Sequence, residues 1–225
     1  MTLTEKNLTI LKSLAQINEQ MYFTSDELGV STNAKDMLGY YSWGVTLEQE
    51  FGIFNVNELL SIISLYEAPS IIERAKKDET SSHLLIEEGN HKTVYTYTAK
   101  ENIKTPPSRK VLFDGESKKI PDPIASFELT KQDLGKIKAQ ASVLKSPNIK
   151  LEKKTIIALD SSESSCNMYE HKINVDKDLP SLLFSTENFQ KIYADDDYVV
   201  DVTNKFLILK SKAEKLVYII VALAG

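Results

Sequence analysis

The sequence has 225 residues, enough for one large domain or two of roughly 110. Its 42% apolar content suits a packed core, and a formal net charge of −5 argues against a generic basic coat for nucleic acid. The single cysteine, Cys166, excludes an intrachain disulfide, points to a reducing compartment and reads as a core filler.

The N-terminal stretch MTLTEKNLTI is interrupted by charge and does not read as a leader. The longest apolar run, Val217 to Ala224, is too short to cross a bilayer and reads as a buried strand. Thr4 to Asn18 has helical periodicity: Leu8, Ile10, Leu11, Leu14, Ala15 and Ile17 gather on one side. Glu5, Lys6, Thr9, Lys12, Ser13 and Gln16 gather opposite. Met21 to Phe23, Met37 to Trp43 and Phe51 to Phe54 favour short strands. Asn55 to Glu67 is a second helix, capped by Asn55, mostly apolar, and stopped by Pro69. Strands follow at 70–74, 83–87 and 92–98, with a turn at Glu88-Gly89-Asn90.

Residues 104–122 hold three prolines and read as the linker, with Val111 to Phe113 as a short extended piece. The chain therefore divides into 1–108, a linker at 109–119, and 120–225. Ile124 to Leu129 is a strand leading into a basic helix, Thr130 to Lys145. In that helix Lys131, Lys138 and Lys145 recur every seven residues, which predicts one basic stripe roughly 21 Å long at ~1.5 Å per residue. Leu134, Ile137, Ala141 and Leu144 form its buried side. Strands are expected at 149–159, 165–175 and 182–184, then a short helix at 185–193 with Phe189 and Ile192 inward and Lys191 outward. A meander over 198–202, 205–211 and 215–223 closes the chain. Helix candidates near 4 and 55, then near 130 and 185, give each half the order helix, strands, helix, strands. The fold class is α+β: two similar halves, each with two helices packed on antiparallel sheet.

No catalytic signature is present. The glycines are isolated, and no phosphate-loop or seryl-nucleophile motif occurs. His83, His91 and His171 lack metal spacing with Cys166, and Asp195-Asp196-Asp197 reads as a solvated turn, so no metal or cofactor is expected. Trp43, Tyr95 and Tyr97 could stack on bases, but packing within the strands is the expected role. The seven basic residues on the helix candidates, Lys6, Lys12, Lys131, Lys136, Lys138, Lys145 and Lys191, are all lysines, while Arg74 and Arg109 lie elsewhere. Flexible ammonium groups attract phosphate without the bidentate geometry of arginine.

Four stretches resemble the sliding clamps of T-even-type bacteriophages, the processivity factors of their DNA polymerases. They are Leu11 to Asn18, Phe54 to Leu65, Ile120-Pro121-Asp122-Pro123-Ile124-Ala125, and Val217 to Leu223. The resemblance implies a DNA clamp fold that assembles as a homotrimer into a closed ring around duplex DNA, with the seven lysines lining the pore. It implies a clamp-loader ATPase and the phage DNA polymerase as partners, a role in late transcription, and the cytoplasm of an infected bacterium as the setting. It assigns no residues to the polymerase-peptide pocket and no catalytic role. The alternative is a non-enzymatic, duplicated α+β scaffold that binds peptides without encircling DNA.

Overall fold

The computed structural model describes residues 3–74, 82–114, 119–160, 162 and 167–223. Cys166 lies outside them. The chain divides into two compact units, Met1–Thr32 with Tyr40–Pro106, and Asn33–Gly39 with Pro107–Gly225.

The first unit opens with α1 (Glu5–Ile17), followed by β1 (Met21–Phe23), β2 (Leu28–Ser31), β3 (Met37–Tyr41, divided between the units), β4 (Phe51–Ile53), α2 (Val56–Ile63), β5 (Ser70–Arg74), β6 (Ser82–Glu88) and β7 (His91–Tyr97). Thr4 starts α1 through reciprocal bonds: its Oγ1 accepts from Asn7 N at 3.1 Å, and its own N donates to Asn7 Oδ1 at 3.0 Å. Asn7 also donates to Tyr41 Oη at 3.0 Å, so this polar residue is buried. Ser13, expected on the exposed side, is buried as well. Asn55 caps α2 by accepting from Glu58 N at 3.0 Å. The helix ends at Ile63, ahead of the expected stop at Pro69, and Leu65 lies beyond it, exposed. α1 packs against α2. The strands run in the orders β4-β1-β2-β3 and β5-β6-β7.

The rings of Trp43, Phe23, Phe51 and Tyr97, in that order, form one buried cluster with centroids 5.0–5.4 Å apart in successive pairs. Trp43 Nε1 donates to Thr24 O at 2.8 Å. Trp43 and Tyr97 are therefore core residues. Tyr95 is turned toward α2, donating to Asn55 O and Glu58 Oε2, both at 3.1 Å. Burial and then the Glu58 carboxylate push its phenol up to about 12.

Gly52 lets β4 approach Thr98 closely: the two residues exchange backbone bonds of 2.7 and 2.8 Å. A Cβ at Gly52 would stand 2.5 Å from Ile103 Cγ1 and 3.2 Å from Thr98 O. Gly52→Ala is accordingly expected to cost about 1–3 kcal/mol through overpacking, read as a lower urea midpoint at unchanged m-value.

The second unit contains α3 (Arg109–Phe113), β8 (Ala125–Leu129), α4 (Lys131–Val143), β9 (Asn148–Lys153), β10 (Thr155–Leu159), β11 (Tyr169–Lys172), β12 (Leu179–Ser185), α5 (Thr186–Gln190), β13 (Tyr198–Val202), β14 (Phe206–Ser211) and β15 (Leu216–Val221). Two expectations change here. The extended piece at Val111 to Phe113 is helical, and Leu112 is buried while its carbonyl accepts from Lys119 N and Ile120 N. The single strand expected at 149–159 is a hairpin, because Lys153 takes φ +54° and reverses the chain with Lys154.

One sheet of this unit has the order β11-β10-β9-β12, and both α4 and α5 pack on it. Leu134, Ile137 and Ala141 of α4, and Phe189 of α5, are buried with Ile149, Leu151, Ile156, Ala158 and Phe184 of the strands. The other runs β8-β13-β14-β15, with the start of β3 beside β15; just before β3, Asp36 O accepts from Val221 N at 2.8 Å.

The duplication read from the helix spacing extends to topology. Four strands follow α1 and four follow α4, and β4-β1-β2-β3 has the same order as β12-β9-β10-β11. The meander β5-β6-β7 corresponds to β13-β14-β15.

Candidate nucleic-acid interface

Helix α4 begins where β8 ends, and Thr130 marks the change by accepting from Asp133 N at 3.2 Å. Lys131 is its first residue. The backbone N of Lys131 donates to Asp197 Oδ1 at 2.7 Å, and its Nζ to Asp195 Oδ1 at 3.1 Å. Asp196 is engaged elsewhere, accepting from Ser211 Oγ and from Asp197 N. The three consecutive aspartates thus serve three different purposes, and among the described residues no group of His, Cys, Asp or Glu has the arrangement of a metal site.

The heptad stripe does not form the open side of α4. At ~100° per residue, Lys138 and Lys131 stand about 200° and 220° around the axis from Lys136. Gln132, Lys136, Gln140 and Val143 are exposed together, whereas Lys138 is half-buried. Lys138 Nζ donates to Ile192 O at 2.7 Å. Alongside, Gln190 Nε2 donates to Lys138 O at 2.8 Å and to Ser142 Oγ at 3.0 Å. Lys145 lies past the helix. It has φ +52°, its N donates to Ser142 O, and Ser146 N reaches back to Ala141 O, the two bonds of a Schellman closure. Lys145→Gly is expected to stabilise the protein by about 1 kcal/mol in thermal or urea unfolding, since glycine takes this conformation without a Cβ clash.

Lys191 is largely covered rather than outward: its side chain is 15% exposed and donates to Glu187 Oε1 at 2.7 Å. On α1, Lys6 and Lys12 are exposed. The exposed side of α2 carries Asn57, Glu58, Ser61 and Ser64 and no lysine. Of the seven lysines expected from the sequence, Lys6, Lys12, Lys131, Lys136 and Lys145 are exposed, Lys131 being paired with Asp195, while Lys138 is tied to Ile192 and Lys191 to Glu187. Asn7, Gln190 and the covering of Lys138 escaped sequence reasoning, because each depends on a partner 34 or more residues away.

Burial lowers the Lys138 amine to about 8. The unfolded chain, with an ordinary lysine near 10.4, binds more protons between those values. Stability is therefore expected to rise as pH climbs from about 8 to 10.4, while below about 8 the cost of covering the ammonium is present in full. Lys138→Met should flatten this rise in urea unfolding at stepped pH.

No family model matches the chain, and no curated protein matches it in sequence. In fold it is similar along nearly its whole length to proliferating cell nuclear antigens. The structure from Entamoeba histolytica aligns with a TM-score of 0.63 at 16% identity, covering 96% of this chain and 94% of that one. The A. fulgidus protein, bound to the C-terminal region of FEN-1, aligns with 0.66 at 12%, covering 97% and 95%. A chain of the PCNA2–PCNA3 complex from Sulfolobus tokodaii aligns with 0.65 at 9%, covering 97% and 96%. The fold is that of the DNA clamps, α+β with helices packed on antiparallel sheets. These likenesses do not single out the T-even phage type. No helix among the described residues is long and apolar enough to cross a membrane.

Proposed function

We propose that this protein is a sliding clamp, a ring that encircles duplex DNA and tethers a replicative polymerase. The observation that carries the reading is the full-length likeness to clamp structures, in which both units align. One of those structures holds a bound partner segment, and another is a complex of PCNA2 with PCNA3. Partner binding and assembly with further clamp chains are the behaviours proposed for this chain.

The duplicated topology supports closure into a ring. In the second unit the start of β3 lies beside β15. By correspondence β3 matches β11, and β15 matches β7. The outer edges of β7 and β11 pair with no strand among the described residues. Laying β7 of one copy beside β11 of the next repeats between copies the contact made within one. Such a head-to-tail interface closes when its rotation divides a full turn. Three copies of two domains, 1–108 and 120–225 joined through 109–119, are the proposed ring.

DNA would meet Lys6, Lys12, Lys131, Lys136 and Lys145, whose ammonium groups attract phosphate and read no bases. Encirclement supplies retention, so each contact can stay weak. The proposal extends to the T-even phage type: a phage polymerase, a clamp-loader ATPase, late transcription factors and the cytoplasm of an infected bacterium. No chemistry of its own is assigned to the chain.

Light scattering should give a mass of three copies. The protein should stay on closed circular DNA through a salt wash and leave once the circle is cut. A monomer indifferent to DNA topology would instead support the peptide-binding scaffold.

A further inference from the structure

We infer that Lys138 is a positioning residue that ties α4 to the end of α5, and that phosphate contact on α4 falls instead to the open side around Lys136. The DNA half of this inference rests on the clamp reading; the helix-tying half does not.

Lys138 Nζ meets the carbonyl of Ile192 at 2.7 Å. Ile192 is the first residue beyond Lys191, the C-cap of α5, so the bond fixes the chain where it leaves the helix. A cation there also opposes the partial negative charge of the helix terminus. Gln190 completes the tie from the other direction through Lys138 O and Ser142 Oγ. α5 has only five residues, too few to hold itself together, so its geometry depends on such external bonds.

The charged groups around Lys138 leave its role to geometry rather than to an ion pair. On its own helix Lys136 stands about 200° around the axis from it, and Lys131 is paired with Asp195. On and after α5, Glu187 is taken by Lys191 and Asp195 by Lys131, while Asp196 accepts from Ser211. The half-burial that lowers the amine to about 8 also limits what it can offer a phosphate.

The full chain and its Lys138→Met, Lys138→Arg and Lys136→Met variants separate the roles. Amide hydrogen exchange in α5 should speed up at least about fivefold in Lys138→Met, stay unchanged in Lys136→Met, and return toward the parent rate in Lys138→Arg, which keeps charged donors. Binding to a short mixed-sequence duplex across salt should show the opposite split. Lys136→Met should reduce the slope of log K against log salt by about 0.9 for each phosphate no longer neutralised, and Lys138→Met should leave it unchanged. A reduced slope in Lys138→Met with α5 exchange unaltered overturns the inference. If the parent protein neither binds the duplex nor stays on closed circular DNA, the clamp reading fails while the exchange arm still decides the tie. Failure of Lys138→Met to fold, with Lys138→Arg folding normally, supports it.

Discussion

A chain carrying Lys12→Glu and Lys136→Glu is expected to fold normally and to bind a short linear duplex at least about a hundredfold more weakly. Both side chains are exposed on helices whose cores lie on other sides, so reversal disturbs no buried neighbour. Each phosphate left without its lysine is worth about tenfold in affinity near 0.1 M salt by counterion release. Two per copy amount to roughly a hundredfold, before the added repulsion of the reversed charges. Affinity for the short duplex near 0.1 M salt measures the effect, and circular dichroism the fold. Affinity unchanged within about threefold would remove these helices from the DNA interface. The heptad lysines are a poorer choice for this test. Lys138→Glu would set a carboxylate against the Ile192 carbonyl and perturb α5 whatever its effect on DNA.

The second large effect is expected at the strand edges. Val94 in β7 is 56% exposed, and Met168, one residue before β11, is 55% exposed. Both sit where the proposed ring joins copy to copy. Charged side chains on such edges are a standard barrier to strand pairing. Val94→Lys with Met168→Lys should leave the single-copy fold stable, since neither side chain is buried, and shift the mass in light scattering from three copies to one. A mass unaffected by the pair would place the interface elsewhere. Retention on circular DNA should disappear with the ring, although every DNA-facing lysine remains.

The sequence made α1 and α4 legible through their apolar periodicity, and in the structure Thr4 and Thr130 each start the helix by accepting from the N3 amide. Element order was legible for the same reason, and it exposed the duplication. What lay hidden was long-range. The turn at Lys153-Lys154 carries no glycine, asparagine or proline, so β9 and β10 read as one strand until φ +54° at Lys153 parts them. Lys131, Lys138 and Lys145 do not form one open stripe: Lys131 is exposed and paired with Asp195, Lys138 is half-buried against α5, and Lys145 lies past the helix at φ +52°. Angle alone cannot reveal that α5, more than 50 residues later, lies over that flank. The run 55–67 suggested a longer helix than forms, because Leu65 fits the apolar count but not the packing, and it stands 82% exposed.

The aspartates at 195–197 are three copies of one residue type, yet they are not interchangeable. Replacing Asp195 by asparagine frees an ammonium group at the surface. The same change at Asp196 loosens the tie to Ser211, and at Asp197 it weakens the acceptor that anchors the start of α4. Identical letters in a row therefore carry three separate tolerances to mutation, and a scan across them should give three unrelated phenotypes rather than one graded series.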